Sequence, residues 1–361
     1  MGIRDLNSFI KLNARDGLKY VNFDTLSNKK VAIDISIFLY RFKYNNKNMY
    51  EHFLNQINRL MVHNITPLYI FDGVPPKEKL DVLIHRKERK LENKNRICEL
   101  KEKIEVLNNT NDNINKHGSK SLEELVLIQD NNKKIMDLKF QINKLDNKMI
   151  HITKEDIKNI KCLLDLLNIK YIVAKGEADL LCSNLYKNNY VDMILSEDMD
   201  ILVSGGDILL RDFNINNNKI SKYDVNVIID KLNITKSQWI NFCILCGCDY
   251  VKRIYGIGPK YIMKYIRSGE DIDICIKKMF TSRTRSLDIT YEDYMIKFNK
   301  AKEIFENNIN LIDDTMKDTL IFKNIKETLF DNQLDYITSF LHKNTTFSDL
   351  QIKNKIKNIY K

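Results

Sequence analysis

Short apolar runs that end in acidic residues constrain the fold of this chain more than any other feature. The strand-like runs are Val31–Ile33, Leu68–Phe71, Tyr171–Ala174 and Met193–Leu195. Seven acids follow them, lie beside them or come later in the chain, namely Asp34, Asp72, Glu177, Asp179, Asp198, Asp200 and Asp249. In an open α/β sheet, the carboxyl ends of the parallel strands meet at one crevice. The pattern therefore predicts an α/β fold that gathers these acids in one place.

Carboxylates crowded into one crevice repel one another unless cations neutralise them. Hard divalent cations take oxygen ligands, and two of them about 3.5–4 Å apart form a site that cuts phosphodiesters. The chain has a net charge of +10 despite these acids. A basic surface around an acidic, metal-filled crevice favours a polyanionic substrate such as nucleic acid. Charge alone is equally compatible with a soluble, lysine-rich protein of another function.

Other sequence features exclude several classes of protein. No apolar run approaches the roughly 18 residues of a membrane span, so no membrane association is expected. The start, MGIRDLN, resembles neither a signal peptide nor a myristoylation site. Seven cysteines without a secretion signal indicate reduced thiols and an intracellular location. Cys243, Cys246 and Cys248 lie close together, but their apolar context favours a buried helix end over a zinc site.

Changes in composition divide the 361 residues into five predicted segments. Residues 1–76 are predicted to alternate helix, strand, helix and strand, and residues 151–235 to resume this α/β pattern and end in an edge hairpin. Residues 236–275 are predicted to form a helix–turn–helix. Residues 276–361 are mostly amphipathic helix and end in the basic stretch QIKNKIKNIYK, which is either a basic arm or a frayed end.

The segment 77–150 is charged and helical and interrupts the α/β pattern. Two apolar seams with alternating spacings of three and four residues run through it, the first Ile97, Leu100, Ile104 and Leu107, the second Ile135, Leu138, Ile142, Leu145 and Met149. Such seams are typical of helices that pack side by side. A polar, turn-rich stretch at 108–121 separates them. The pattern favours a helical hairpin with a polar tip, with a dimerising coiled coil as the alternative.

The stretch GIGPK at Gly256–Lys260 is a glycine-rich turn that opens a helix. Exposed backbone N–H groups and the helix N-terminus can hold a phosphate there without reading base sequence. Six stretches, in this order, are MGI, VAIDIS, FDGVPP, GEAD, SEDMDIL and GCDYVKRIYGIGPK. Together they resemble the flap endonuclease/XPG family of structure-specific 5′ nucleases over roughly residues 1–275. The resemblance implies a PIN-like core, a mostly parallel sheet flanked by helices, with an inserted helical arch and a helix–two-turn–helix module that binds DNA.

The resemblance also implies roles for the acids. Asp34, Asp72, Glu177 and Asp179 would hold one Mg²⁺, and Asp198, Asp200 and Asp249 a second, with Mn²⁺ as a substitute. The family usually has Glu at the position of Asp179, which leaves open whether Asp179 bridges both metals.

Basic and aromatic residues receive roles by the same resemblance. Lys79 and Arg86 are seven residues apart, close to one face of a helix, and would contact the scissile phosphate. The alternative is a solvated basic face. Tyr40 would stack on a base near the cut, with core packing as its alternative. After removal of Met1, the amine of Gly2 would lie near the site.

The helix–turn–helix would grip the duplex backbone through Gly256 and Gly258 and the basic side chains Lys252, Arg253 and Lys260. The family commonly holds a K⁺ ion in this turn.

The expected partner is branched DNA, a 5′ flap or a junction. The spacing of Gln333, Tyr336 and Phe340 does not support binding to a sliding clamp, and a monomer is expected. The expected location is the nucleus or another site of DNA replication, cytoplasmic for a virus that replicates there. A junction-resolving or exonuclease-specialised relative, an RNA exonuclease and a catalytically silent scaffold are the alternatives, although all seven acids are retained.

Overall fold

The computed structural model describes residues 2–44, 48–76, 79–116, 121–146, 149–282, 289–306, 311–321 and 331–360, with the backbone alone for 80–83 and 331–333. It divides into two compact units. The first comprises Met1–Phe42, Asn48–Lys79 and Lys154–Lys361, and the second comprises Lys43–Lys47 and Leu80–Thr153. The predicted division into five segments stays a prediction.

Seven strands form one mixed sheet in the first unit. They are β1 Leu18–Asn22, β2 Lys30–Asp34, β3 Thr66–Phe71, β4 Tyr171–Val173, β5 Met193–Leu195, β6 Ile208–Arg211 and β7 Lys219–Asp224, in the order β1-β7-β6-β5-β2-β3-β4. The pairs along β6-β5-β2-β3-β4 are parallel. The two pairs made by β7 are antiparallel. This arrangement confirms the predicted mostly parallel sheet and the hairpin of β6 and β7. The predicted edge position of that hairpin is wrong, because β1 pairs with β7 and forms the edge of the sheet.

Sixteen α-helices and two short 3₁₀ helices, at Arg15–Gly17 and Phe23–Leu26, accompany these strands in the described residues. The α-helices are α1 Leu6–Asn13, α2 Ile35–Lys43, α3 Met49–Val62, α4 Leu80–Asn115, α5 Leu122–Asp146, α6 Lys154–Leu166, α7 Ala178–Lys187, α8 Ile201–Ser204, α9 Val225–Leu232, α10 Lys236–Cys246, α11 Pro259–Ile266, α12 Ile272–Thr281, α13 Tyr291–Glu306, α14 Asp314–Lys317, α15 Asp331–Asn344 and α16 Asp349–Ile359. None of the helices in this described part is long and apolar enough to cross a bilayer.

The N-terminal region contains one strand and one α-helix more than predicted. Strand β1 was missed because its residues Lys19 and Tyr20 are exposed and give no apolar run. It forms by pairing with β7, with Leu18 opposite Tyr223 and Asn22 opposite Lys219. A strand that depends on a partner some 200 residues away leaves little local pattern.

The second unit is a helical hairpin of α4 and α5, as the two seams predicted. Ile97, Leu100 and Ile142 are buried between the helices, and Ile104 and Leu138 pack against them. Helix α4 extends to Asn115, so the predicted turn-rich tip is wrong for residues 108–115. Asn111 explains the longer helix, because its side chain exchanges hydrogen bonds with Asn131 at 2.9 Å and Asn132 at 3.2 Å on α5. Residues 117–120 of the predicted tip lie outside the described residues.

The basic C-terminal stretch is a folded helix in the first unit, neither a free arm nor a frayed end. On α16, the side chains of Ile352, Ile356 and Ile359 are at most 3% exposed. Asn58 on α3 donates a hydrogen bond to the carbonyl of Lys355 at 2.8 Å. The isoleucines recur at helical spacing, so one face of the helix packs. Lys353 and Lys357 are exposed, whereas Lys355 is half-buried and donates a hydrogen bond to Asn55.

Candidate metal centre

The sheet places the predicted acids at one edge. Asp34 is the last residue of β2, and Asp72 directly follows β3, its parallel neighbour. Asp198 and Asp200 follow β5, which pairs with β2 on its other side. Glu177 is the N-cap of α7, and Asp179 lies in its first turn. The strands β2, β3 and β5 run in the same direction, and α7 begins next to Asp72 at their carboxyl ends. The acids therefore meet at the carboxyl ends of the strands.

Asp34 is one of the enclosed acids of this edge, with 5% of its surface exposed. Its carboxylate accepts hydrogen bonds from the Ser196 hydroxyl at 3.0 Å and the Ser36 backbone N–H at 3.1 Å. Burial, followed by repulsion from Asp72, raises the pKa of Asp34 to about 7. A cation nearby would favour the ionised form of this carboxylate.

Asp72 contacts the segments that follow β2 and β4. Its carboxylate accepts hydrogen bonds from the Ser36 hydroxyl and from the backbone N–H of Ala178 at 2.8 Å. The next residue, Gly73, permits this close approach, because a Cβ atom there would lie 2.0 Å from the carbonyl oxygen of Ala174. The glycine of the FDG motif thus brings Asp72 to the start of α7, where Glu177 and Asp179 lie.

Lys79 supplies a positive charge within the cluster. Its ammonium donates a hydrogen bond to Glu177 and lies 3.2 Å from Oδ2 of Asp249. Burial alone would lower the pKa of Lys79, but Asp179 and Glu177 outweigh that effect and raise it well above its usual value. The hydroxyl of Tyr250 donates to the other Glu177 oxygen at 2.6 Å. Its ring lies below the ammonium, with 5.5 Å between Nζ and the ring centroid.

The loop after β5 turns Asp198 and Asp200 into the same region. The Ser196 hydroxyl accepts from the Asp198 backbone N–H, and Asp198 Oδ1 accepts from the Asp200 N–H, both at 3.0 Å. Asp200 is 2% exposed. Its Oδ1 atom is buried without a hydrogen-bond partner in the described part of the chain. Burial, followed by repulsion from Asp198 and Asp249, raises the pKa of Asp200 well above its usual range.

Gly2 lies against Asp198 and Asp200. It has a positive φ of 79°. A Cβ atom at this position would lie 2.0 Å from Asp198 Oδ1 and 2.6 Å from Asp200 Oδ1. A side chain therefore cannot be accommodated, and the N-terminal backbone lies directly against the two carboxylates.

Asp179 connects the two groups of acids. Burial raises its pKa well above the usual range, and repulsion by Glu177, Asp198 and Asp34 raises it further, while attraction by Lys79 opposes the shift. The structure thus brings all seven predicted acids into one electrostatically connected cluster.

This donor set, made of carboxylate oxygens with one unpartnered buried oxygen on Asp200, suits a hard divalent cation. Within the described ranges, no three acidic, thiol or imidazole groups already surround a common point as metal ligands. Lys79 compensates part of the charge instead.

Comparisons with known proteins match the two regions of the chain that contain the seven acids. The XPG N-terminal domain model matches residues 1–93, and the XPG I-region model matches residues 168–249. The chain is 30% identical over 293 residues to flap endonuclease 1 of Encephalitozoon cuniculi, covering 77% of this chain and 75% of that protein. The chain belongs to the flap endonuclease/XPG family. Both matched regions contain predicted acids, and the second ends at Asp249.

Solved structures show the same fold for this family member. The catalytic core of Rad2 in complex with DNA superposes with a TM-score of 0.64 at 19% identity, covering 99% of this chain and 100% of that one. The Holliday junction-resolving enzyme GEN1, in complex with product DNA and Mg²⁺, superposes with a TM-score of 0.61 at 14% identity, covering 98% of this chain and 77% of that one.

The helix–turn–helix residues differ in their surroundings. Gly256 has a positive φ of 72°, which favours glycine. Gly258 is the N-cap of α11, and a Cβ atom there would meet nothing within 4 Å. Lys252 and Lys260 are exposed. Arg253 forms an ion pair with Asp5 at 2.6 Å. The DNA-binding role of these residues stays a prediction.

Tyr40 and Arg86 are placed on different units. Tyr40, on α2, is 48% exposed, whereas the neighbouring Phe38 and Phe42 are buried in the core. Packing therefore accounts for the two phenylalanines and leaves the Tyr40 ring available for stacking on a base. Arg86 lies on the exposed part of α4 in the second unit. Its contact with the scissile phosphate stays a prediction.

Several residues of the site were missed by sequence reasoning. Ser36 and Ser196 orient Asp34 and Asp72, and each lies within two residues of a predicted acid, in VAIDIS and SEDMD. Tyr250, in GCDY, holds Glu177. Their positions inside the acidic motifs were the available signal. The ion pair of Asp5 with Arg253 had no such signal, because 248 residues separate the two.

Proposed function

We propose that this chain is a divalent-metal-dependent 5′ nuclease that hydrolyses DNA phosphodiesters where single strands meet duplex, with a 5′ flap as its main substrate and some 5′→3′ exonuclease activity. The convergence of seven acids at one sheet edge carries this proposal. Membership of the flap endonuclease/XPG family supports it.

The acids would hold two cations in two groups. Asp34, Asp72 and Glu177 form one group, and Asp198, Asp200 and Asp249 form the other. Asp179 interacts with acids of both groups, which supports a bridging role despite its shorter side chain. When bound, two Mg²⁺ ions, or Mn²⁺ in their place, lower the pKa of a coordinated water and neutralise the leaving oxygen.

Residues of the chain itself would position the substrate. Lys79 can exchange its carboxylate partners for a phosphate oxygen of the scissile bond, and Arg86 can supply a second, bidentate contact. Tyr40 would stack on the base beside the cut. Gly256, Gly258, Lys252 and Lys260 would grip the duplex backbone, with a K⁺ ion in the turn, while Arg253 is already paired with Asp5.

The biological setting follows from the substrate. A monomer acting on branched DNA in replication and repair is expected, in a reducing compartment where DNA is copied. No sliding-clamp peptide is proposed.

The test is to map cut positions on labelled 5′ flap, gapped, blunt and four-way-junction DNAs in Mg²⁺, in Mn²⁺ and in EDTA, with an RNA flap as comparison. Cleavage of the flap near its junction, lost in EDTA and in Asp198→Asn, is the expected result. Preferential cutting of the four-way junction would favour a junction-resolving enzyme. Binding without cleavage in either metal would favour a silent scaffold.

A further inference from the structure

The N-terminal segment is fastened at two points to the turn that follows α10. The backbone N–H of Arg4 donates to the carbonyl of Gly247 at 3.0 Å. The guanidinium of Arg253 donates to Oδ2 of Asp5 at 2.6 Å. The second contact is a charge-assisted hydrogen bond, a type stronger than a neutral one.

Asp5 does not cap the following helix with its side chain. It is the N-cap of α1, where an aspartate normally accepts hydrogen bonds from the first turn of the helix. Here it makes no side-chain cap, and its backbone is left-handed, with a φ of 61°. Left-handed backbone is uncommon for a residue other than glycine, although Asp and Asn tolerate it. The carboxylate is thereby directed away from its own helix and toward Arg253.

The Arg253 end of the contact is confined. Its side chain is 17% exposed, against 53% for Asp5. Gly247, with a φ of 95°, packs so closely that a Cβ atom there would lie 2.9 Å from the Arg253 backbone nitrogen. The Arg253 backbone therefore cannot shift toward Gly247 without disturbing the end of α10.

The two fastened segments both reach the candidate metal centre. Three residues before Asp5, the backbone of Gly2 lies against Asp198 and Asp200. Four residues before Arg253 is Asp249, which contacts the ammonium of Lys79. Ile3 and Leu6 are 4% and 0% exposed, so the short segment between these points is anchored in the core.

We propose that the Asp5–Arg253 ion pair positions the metal centre by fixing Asp249 relative to Asp198 and Asp200, and so sets the affinity of this group for its cation. Both residues are positioning residues, which act through these acids. The proposal rests on the proposed function. It also assigns Arg253 to the architecture of the site, and leaves Lys252 and Lys260 as the side chains that grip the duplex.

The test compares Asp5→Asn, Arg253→Gln and the conservative variant Arg253→Lys, which keeps the positive charge opposite Asp5. Asparagine tolerates left-handed backbone, so Asp5→Asn removes the charge and keeps the local fold. Mn²⁺ binding is titrated without DNA, and single-turnover cleavage of a 5′ flap is followed against Mg²⁺ concentration. Asp16→Asn is the matched control, because it breaks the exposed ion pair with Lys231 at 2.9 Å away from the site.

Asp5→Asn and Arg253→Gln should each weaken binding of the more weakly held Mn²⁺ by about tenfold. Loss of a group that orients a metal ligand without touching the metal typically lowers metal affinity by about 10- to 100-fold. Cleavage at saturating Mg²⁺ and affinity for the flap should be nearly unchanged. Arg253→Lys should keep most of the Mn²⁺ affinity, and the control should match the wild type. Thermal unfolding of every variant, with and without Mn²⁺, identifies a folding defect. Weaker Mn²⁺ binding in Asp5→Asn or Arg253→Gln at an unchanged metal-free melting temperature excludes such a defect as the cause.

Two results would overturn the inference in different ways. If Asp5→Asn binds Mn²⁺ like the wild type while Arg253→Gln loses DNA affinity, Arg253 is a duplex contact and the ion pair has no positioning role. If the wild type itself binds no Mn²⁺ and cuts no branched DNA, the proposed function fails and this inference fails with it.

Discussion

The ammonium of Lys79 lies 3.2 Å from Oδ2 of Asp249 and also donates a hydrogen bond to Glu177. A basic side chain thus occupies the space between acids of both proposed metal groups. Its charge compensates carboxylates that burial and mutual repulsion would otherwise drive toward protonation. The same ammonium can later pair with a phosphate, since both partners are anionic. The contact of Lys79 with a phosphate of the substrate stays a prediction.

Replacing Lys79 with Met should tighten Mn²⁺ binding in the absence of DNA, because a competing cation is removed. Cleavage should still slow by about 10²-fold, the loss typical of one preorganised charge donor. Mn²⁺ titration and single-turnover kinetics measure the two effects. Lys175→Met is the control, since it breaks the surface ion pair with Asp313 at 3.0 Å. Unchanged Mn²⁺ affinity in Lys79→Met would contradict the competition.

Asp200→Asn should abolish cleavage while leaving DNA affinity largely intact. The change removes a ligand charge from the proposed metal group and keeps the shape of the side chain. Because burial raises the pKa of Asp200, the neutral amide should also stabilise the metal-free protein. Flap binding in Ca²⁺, cleavage in Mg²⁺ and the metal-free melting temperature test this together. Equal losses of binding and cleavage would argue against a metal-holding role.

The metal-free protein should lose stability as pH rises from about 4 to 7. Asp34 has a pKa raised to about 7 in the folded state. The folded chain then binds more protons than the unfolded chain in this window, so the slope of unfolding free energy with pH is negative. The full effect of Asp34 is at most about 4 kcal/mol.

Denaturant unfolding in EDTA across this range measures the slope. Asp34→Asn should reduce it, and Mg²⁺ should counteract the loss above pH 7 because it stabilises the ionised form. A metal-free stability that instead rises through this window would show that Asp34 ionises readily in the fold.

Tyr250→Phe should weaken metal binding by about tenfold, because Glu177 loses the hydroxyl that orients one of its oxygens. The ring that lies below Lys79 is retained. The rate of cleavage as a function of Mg²⁺ concentration measures the shift, with recovery expected at high Mg²⁺. Tyr360→Phe removes a comparable hydrogen bond, to the carbonyl of Leu167 at 2.9 Å, and serves as the control. Identical metal dependence of Tyr250→Phe and wild type would remove Tyr250 from the site.

Combining Lys252→Gln with Lys260→Gln should weaken binding to duplex-containing DNA and leave the single-turnover rate at saturating enzyme unchanged. Each lost phosphate contact lowers the slope of log affinity against log salt by about 0.9. The double variant should therefore show a slope smaller by about 2 in a salt titration of binding. A wild-type affinity that does not depend on salt would rule out recognition of the DNA backbone.

The sequence alone determined the parts of this protein that depend on local pattern. Apolar runs ending in acids predicted the parallel strands and the cluster at their carboxyl ends, because strand direction places those residues at one edge. Apolar seams at helical spacing predicted the hairpin of α4 and α5, because helical periodicity can be recognised from residues that are close in the sequence.

Contacts between distant segments arise only in the folded chain. Strand β1 exists through its pairing with β7, and α4 extends into the predicted tip because Asn111 meets Asn131 across the hairpin. Asp5 and Arg253 likewise meet only after the chain has folded around α10. Each such contact needs a partner that lies far away in the sequence. Local sequence pattern therefore identified the acids but not the groups that hold them in place.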